Sequence, residues 1–410
     1  MLDALAPLVS FNSPLQLAFD NISIVLIEVV SYFCFLMACI HASGSPRRSQ
    51  LLLGALIVYH TLWIGLAQVD SHLAIVWHGQ AMIMLFFSHV PLYVILLNAS
   101  LYYMVYIATL KMQLHFSSSM ATMGLLVMAV IFPAELLGSK LLWWTWHDTD
   151  PILADRFLNV PTAIMASHFL SAISFYAIVQ ILQPHFAPGL VYQESAARAE
   201  YGVYLGAIFI SVPVSMLLFG LSYQLFCLVL GVSSLVFMAG LIAVSSYLWW
   251  SSDRRDGQSQ ELLPWHYDGE WFHKWYDHAL LQFFYLYMFI TLVILLAIQP
   301  SQLVSLGYHQ LIGDCRHTTS YSTVLGTTLT RFTYLCKLHF DEAYSLCDAP
   351  RSQLHVMDPW YKICGVPYHH DAFADYVFVM VVLNGCLVFI FREIFTLARP
   401  AWVQRLPKHK

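Results

Sequence analysis

The chain has 410 residues, of which 59% are hydrophobic and 10% charged, with a formal net charge of −5 and a mean hydropathy of +0.64. Soluble globular domains carry about 25% charged residues, so this composition excludes that class and reads as a multi-pass membrane protein. The near-neutral balance leaves no basic footprint for nucleic acid.

Residues 1–20 contain no Lys or Arg and carry Pro7 and Pro14. They lack the basic region of a cleavable signal peptide, so the first apolar segment is expected to act as the signal anchor. About 20 apolar residues cross a hydrocarbon core of about 30 Å. Nine such segments are predicted, at 22–42, 50–68, 81–104, 120–141, 163–182, 203–221, 224–248, 280–298 and 376–396. Long unbroken apolar runs satisfy their backbone in lipid only as helices. The expected fold class is therefore all-α, a polytopic transmembrane helical bundle with a disulfide-containing extracytoplasmic loop. It divides into helices with short loops over 1–298, that loop over 299–375, and a last helix with a basic cytoplasmic tail over 376–410. The sixth and seventh helices are expected to part at Leu221 to Gln224. The sequons at Asn21 and Asn98 abut or enter the membrane and are expected to stay unused.

Positive charge sets the orientation. Arg47, Arg48, Lys111, Arg198, Arg254, Arg255, Lys274, Arg392, Arg399, Arg405, Lys408 and Lys410 fall on one side, and only Lys140 and Arg156 lie in the short segments of the other. This predicts an N-terminus outside the cytosol and a cytoplasmic C-terminus, in an endoplasmic reticulum, other endomembrane or plasma membrane.

Ionisable groups associated with the helices are Glu28, His60, His78, His89, Glu135, Lys140 and His168. Such groups are expensive in hydrocarbon and point to function by default, although a single histidine reads equally well as bonded to a backbone carbonyl. Glu135 follows Pro133 two helical turns inside the membrane. An unpaired carboxylate there protonates or finds a partner, and His168 or His89 is the expected one. Read as a helix, its face continues through Ser139 and Trp143 or Trp146 toward His147 and Asp148.

That face opens on a cluster of Lys140, Trp143, Trp144, Trp146, His147, Asp148, Asp150, Asp155, Arg156 and Asn159. Asp148 or Asp150 reads equally as a cap for a turn beginning at Pro151, and the tryptophans as an aromatic belt. Acid, base, aromatic and guanidinium together suggest a cleft. Glu135, His147, Asp148 and His168 are its candidate catalytic groups, and Trp143, Trp146, Asp150, Arg156, Asn159 and His89 its candidate substrate contacts.

Further along, Ser167, Ser171 and Ser174, and then Gly231, Ser234 and Gly240, mark close helix contacts. Residues 251–279, with Trp271, Trp275 and His278 at helical spacing, read as an amphipathic interfacial helix. Cys315, Cys336, Cys347 and Cys364 share the one long loop and predict two disulfides, with three connectivities open. Their spacings match no structural zinc pattern. Motifs for diiron, zincin, serine-hydrolase and nucleotide chemistry are absent, so no metal and no cofactor is expected.

The run Glu135-Leu136-Leu137-Gly138, the aromatics Trp143 to Trp146, the acids Asp148 and Asp150, and Asn159-Val160-Pro161 resemble the core of the carotenoid-biosynthesis membrane family that includes bisanhydrobacterioruberin hydratases. The resemblance covers roughly 35 residues and implies addition of water to an isoprenoid double bond, with Glu135 and Asp148 as the matching acids. The chain departs from that family in its tryptophans, in Lys140 and in its long cysteine loop. Over its length it also resembles a eukaryotic multi-pass family from which no activity carries over. Three functions compete: acid–base chemistry on a lipid or isoprenoid, a proton-coupled carrier relaying through Glu28, His60, Glu135 and His168, and a scaffold or receptor-like protein. The expected partners are the bilayer and a lipid or isoprenoid substrate, with no nucleic acid, and protein partners are left open.

Overall fold

The computed structural model describes residues 8–45, 47–66, 74–112, 114–186, 197–252, 278–323, 325–336, 344–347, 359–368 and 372–396. The predicted amphipathic segment 251–279 lies almost wholly outside the described residues, as do the basic residues beyond 396.

The described residues contain nine long helices: α1 (Pro14–Gly44), α2 (Arg47–Leu66), α3 (Leu92–Met112), α4 (Phe116–Lys140), α5 (Thr162–Phe186), α6 (Ala197–Tyr223), α7 (Ser234–Trp250), α8 (Ala279–Ala297) and α9 (Ala372–Thr396). Eight helical stretches are long and apolar enough to cross a membrane. The remaining one, α7, has 17 residues, about 25 Å at the helical rise of about 1.5 Å per residue. At the centre stands α3, where the consecutive residues Tyr102, Tyr103, Met104 and Val105 are all buried. A helix apolar on every face belongs in the interior.

Several predicted boundaries move. The third span was expected from residue 81, but Ile83–Leu85 and Val90–Pro91 are strands, and the helix begins at Leu92. The segment is apolar yet cannot coil: Phe86, Phe87 and Ser88 turn with positive φ, and Pro91 biases its predecessor toward extended backbone. The expected break at Leu221 to Gln224 is also displaced. The helical path continues through a π-helical turn at Gln224–Val229 and breaks only around Gly231, whose φ is +67°. Gln224 is polar because its side chain holds the cap, accepting from the Leu325 amide (2.7 Å) and donating to Thr327 Oγ1 (2.8 Å).

The first helix starts earlier than predicted and kinks at Asn21, which has non-helical φ/ψ. Asn21 is buried and donates its amide to the Leu141 carbonyl at 2.7 Å, so the sequon nitrogen is already committed.

A cap closes one end of the bundle. The N-terminal strand Val9–Phe11 pairs with Ile83–Leu85, Val76–His78 pairs with Trp144–Trp146, and Gly79 bridges to Gly307. The segment after α8 adds the ribbon Thr318–Ser322 with Thr328–Phe332 and a sheet of Val304–Tyr308 with Trp360–Gly365. Disulfides join Cys315 to Cys336 and Cys347 to Cys364, selecting one of the three connectivities.

The cap thus gathers the N-terminal strand and the links α2–α3, α4–α5, α6–α7 and α8–α9. Each helix therefore runs once between the two ends. At the far end Phe395 of α9 packs on His278 and under the Lys111 ammonium.

Candidate functional site

A cavity of about 330 Å³ lies between the cap and the bundle, within the size range of small-molecule sites. Its walls are helical: Tyr59, His60 and Trp63 from α2, Tyr93, Leu97 and Tyr102 from α3, Ile131 and Glu135 from α4, His168 and Ser171 from α5, and Met216 and Phe219 from α6. Its ceiling is the two-stranded ribbon of Val76–His78 and Trp144–Trp146.

Side chains on a strand alternate between faces. In this ribbon His78 lies opposite Trp144 and Val76 opposite Trp146, and these four residues line the cavity. The intervening Trp77 faces into the cap, where it lines a smaller pocket with His147, His309 and Arg331, and Thr145 contacts the His309 ring. The indole of Trp144 rests on Gly138, where a Cβ would lie 2.1 Å from its ring. Trp143, fully buried, donates its indole N–H to Ser23 Oγ at 2.8 Å.

Glu135 and His168 meet at this cavity. His168 Nε2 lies 3.1 Å from Glu135 Oε1. Glu135 is 7% exposed, and its second oxygen, Oε2, has no partner among the described residues. Below the pair, the Tyr102 hydroxyl is 2.7 Å from Ser171 Oγ, and Ser171 Oγ also donates to the His168 carbonyl. His60 stands edge-on to Tyr102 at 4.4 Å between ring centroids. A carboxylate that accepts from Nε2 leaves Nδ1 as the basic nitrogen, the arrangement of an oriented general base.

His60, Glu135 and His168 lie five or six residues from the cap-side ends of their helices, about 8–9 Å at the helical rise of about 1.5 Å per residue. They share one level. The fourth member of the expected relay, Glu28, is engaged elsewhere: it accepts from Tyr32 Oη (2.5 Å) and from the amides of Met82 (2.7 Å) and Ile83 (3.2 Å). It ties α1 to the cap.

Other predicted site residues are not in this cavity. The expectation that Glu135, His147, Asp148 and Arg156 line one space fails because residues 144–146 are a strand: one step past Trp146 turns His147 to the opposite face. There His147 Nδ1 lies 3.4 Å from Asp148 Oδ1, and its Nε2 meets Gln310 at 3.3 Å. Burial, helped by the Arg331 charge, pushes His147 down to about 3, and burial raises the Asp148 carboxyl. Burial thus disfavours the charged form of both groups.

Asp150 caps the turn Pro151–Leu153 through the Ile152 amide (2.9 Å), binds Arg331 at 2.7 Å and accepts from Tyr321. Arg156 donates to the Leu153 carbonyl (3.2 Å), and Asn159 donates to Ser139 Oγ (3.3 Å). His89 packs against Tyr308 and Trp360 and does not line the cavity. Lys140 donates to the Pro367 carbonyl and lies over the Tyr368 ring. Asp155 accepts from the Ser234 amide (2.7 Å) and so fixes the start of α7.

Of the predicted contacts, then, Glu135, His168, Trp143 and Trp146 come together. Sequence reasoning missed Tyr93 and Tyr102, whose signal was a tyrosine-rich stretch inside an apolar helix. No group of three or more potential metal-binding side chains occurs among the described residues.

Residues 6–397 match the profile of the family described as Domain of unknown function (DUF7802), and the chain belongs to that family. No curated protein and no solved structure matches the chain. The resemblance to carotenoid hydratases gains no support from these comparisons.

Proposed function

We propose that this member of the DUF7802 family is an integral membrane enzyme that moves a proton on a lipid-borne substrate held between the bundle and its cap. The observation that carries the reading is the 3.1 Å contact of His168 with Glu135 at the wall of an aromatic-lined cavity. Glu135 orients the ring and balances the charge that forms when Nδ1 takes a proton, and the burial of Glu135 strengthens that interaction. The substrate, an isoprenoid or another lipid, reaches the site from the bilayer.

Grouping of the ionisable residues at one level favours an enzyme over a carrier, whose relay would span the membrane. The two disulfides support placing the cap on the oxidising, non-cytosolic side, with α9 ending in the cytosol of a cell whose endomembrane or plasma membrane holds the protein.

The test is lipid mass spectrometry on membranes expressing the wild type, Glu135→Gln or His168→Asn at matched levels. The expected result is a lipid product formed by the wild type and by neither variant. Undiminished product with Glu135→Gln, or no change in any lipid with the wild type, overturns the assignment and leaves a scaffold.

A further inference from the structure

Six buried polar atoms without a hydrogen-bond partner among the described residues belong to side chains lining the one cavity. They are His60 Nε2, His78 Nδ1, Tyr93 Oη, Glu135 Oε2 and the indole Nε1 of Trp144 and of Trp146. Folded proteins leave few buried polar groups unpaired, because each is costly. Such a concentration around a single space describes the chemistry of what the space accommodates.

An indole N–H can only donate, a tyrosine hydroxyl donates readily, and a carboxylate oxygen can only accept. The set calls for a group rich in acceptor oxygens that also offers a hydrogen to Glu135, which is the pattern of hydroxyls beside an ester or ether oxygen. No Lys or Arg lines the cavity among the described residues, so a phosphate would be buried without a counter-charge. A quaternary ammonium would suit the aromatic faces but would leave the three donors unmet. A bare polyene would satisfy none of the six. Between these polar groups, Val94, Leu97, Ile131 and Phe219 make the wall hydrocarbon, which suits an apolar chain.

We infer that the cavity binds the uncharged, hydroxyl-bearing headgroup of a single-chain lipid, with the headgroup under the Trp144–Trp146 strand and the chain among the helices. This rests on reading the cavity as the substrate site and names the class of substrate it takes.

The experiment is photo-crosslinking of the full-length protein in nanodiscs with three diazirine probes of equal chain length: a monoacylglycerol, a lysophosphatidylcholine and an unsubstituted alkene. The monoacylglycerol is expected to label cavity residues at least about tenfold more than either of the others, since the alkene leaves the donors and the Glu135 oxygen unpaired and lysophosphatidylcholine would bury a phosphate without a counter-charge. Trp144→Phe with Trp146→Phe should remove that preference, whereas Trp77→Phe, on the other face of the same ribbon, should leave it intact. Excess free glycerol that leaves the labelling unchanged marks the headgroup as lipid-borne; glycerol that abolishes it supports the same hydroxyl chemistry but overturns the role of the chain. Stronger labelling by the alkene or by lysophosphatidylcholine, or a preference unaffected in the double variant, overturns the inference. The acid–base reading fails separately, through a Glu135→Gln variant that still turns over lipid.

Discussion

Trp144 lies across Gly138 so closely that a Cβ on the glycine would fall 2.1 Å from Cζ2 of the indole. The ring cannot settle there beside any larger residue, and Trp144 is one of the four ceiling side chains that face the cavity. Gly138→Ala is therefore expected to displace the indole and pull the ribbon Trp144–Trp146 away from Val76–His78. Overpacking of this kind typically costs about 1–3 kcal/mol. Hydrogen exchange should show the amides of residues 76–78 and 144–146 losing protection, with α3 unchanged. Equal protection in the variant would mean that the ring finds a second seat.

The ion pair of Arg331 with Asp150, 2.7 Å long and almost completely buried, joins the segment after α8 to the link between α4 and α5. Removing one member strands the other as a buried charge, at a cost of about 3–5 kcal/mol. Arg331→Met is expected to destabilise the cap by an amount of that order, read as a lower melting temperature of the purified protein. Pairing Arg331→Met with Asp150→Asn should recover part of the loss. A double variant whose loss equals or exceeds the sum of the singles would show that the two residues do not act as a pair.

Much of this architecture was legible in the chain, and the reasons differ by element. Helices such as α4 and α8 announce themselves because lipid demands long apolar runs whatever their neighbours are. Glu135 and His168 were legible because a carboxylate in that setting requires a partner. The ceiling was not. Three tryptophans in four residues look like an aromatic belt, and only pairing with Val76–His78, some seventy residues away, makes them a strand and decides that Trp146 faces the cavity and His147 does not. Ala81–Pro91 misled for the same reason: its hydrogen bonds go to a distant N-terminal strand, and hydropathy carries no record of that.

The cap should weaken in acid. Burial holds His309 down to about 3 and His78 to about 4, and with the Arg331 charge it holds His147 to about 3. Unfolding would return each ring to its ordinary value near 6.5. Below that pH the unfolded chain takes up protons that the folded cap refuses, so stability is full above about 6.5 and falls as pH drops toward the folded values. Each histidine contributes about 1.4 kcal/mol per pH unit across that window. Asp148, raised by burial, acts oppositely between its ordinary value of 3.8 and its higher folded one, and offsets about one histidine there. Melting curves at pH 7.5, 6 and 5 should therefore show a progressive loss, concentrated in the cap by hydrogen exchange. Identical curves at pH 7.5 and 5 would show that the rings are not held neutral.

Glu28 and Glu135 are both buried carboxylates among helices, and their surroundings predict opposite phenotypes. Both Glu28 oxygens are used: Oε1 by Tyr32 and the Ile83 amide, Oε2 by the Met82 amide. A glutamine there turns one acceptor into a donor facing a backbone N–H, and hydrogen bonds to a charged group contribute about 1.5–3 kcal/mol each. Glu28→Gln is expected to lower stability by about 2 kcal/mol or more while leaving lipid conversion per folded molecule unchanged. Among the described residues Glu135 has one hydrogen-bond partner, His168, and one unpartnered oxygen, so the fold gains little from its charge. Glu135→Gln should keep or raise the melting temperature and abolish conversion, because the amide cannot exchange a proton. The decisive comparison is melting temperature against product formation for the two variants side by side. A Glu135→Gln protein that loses stability like Glu28→Gln would make Glu135 a structural carboxylate and remove the base from the proposed site.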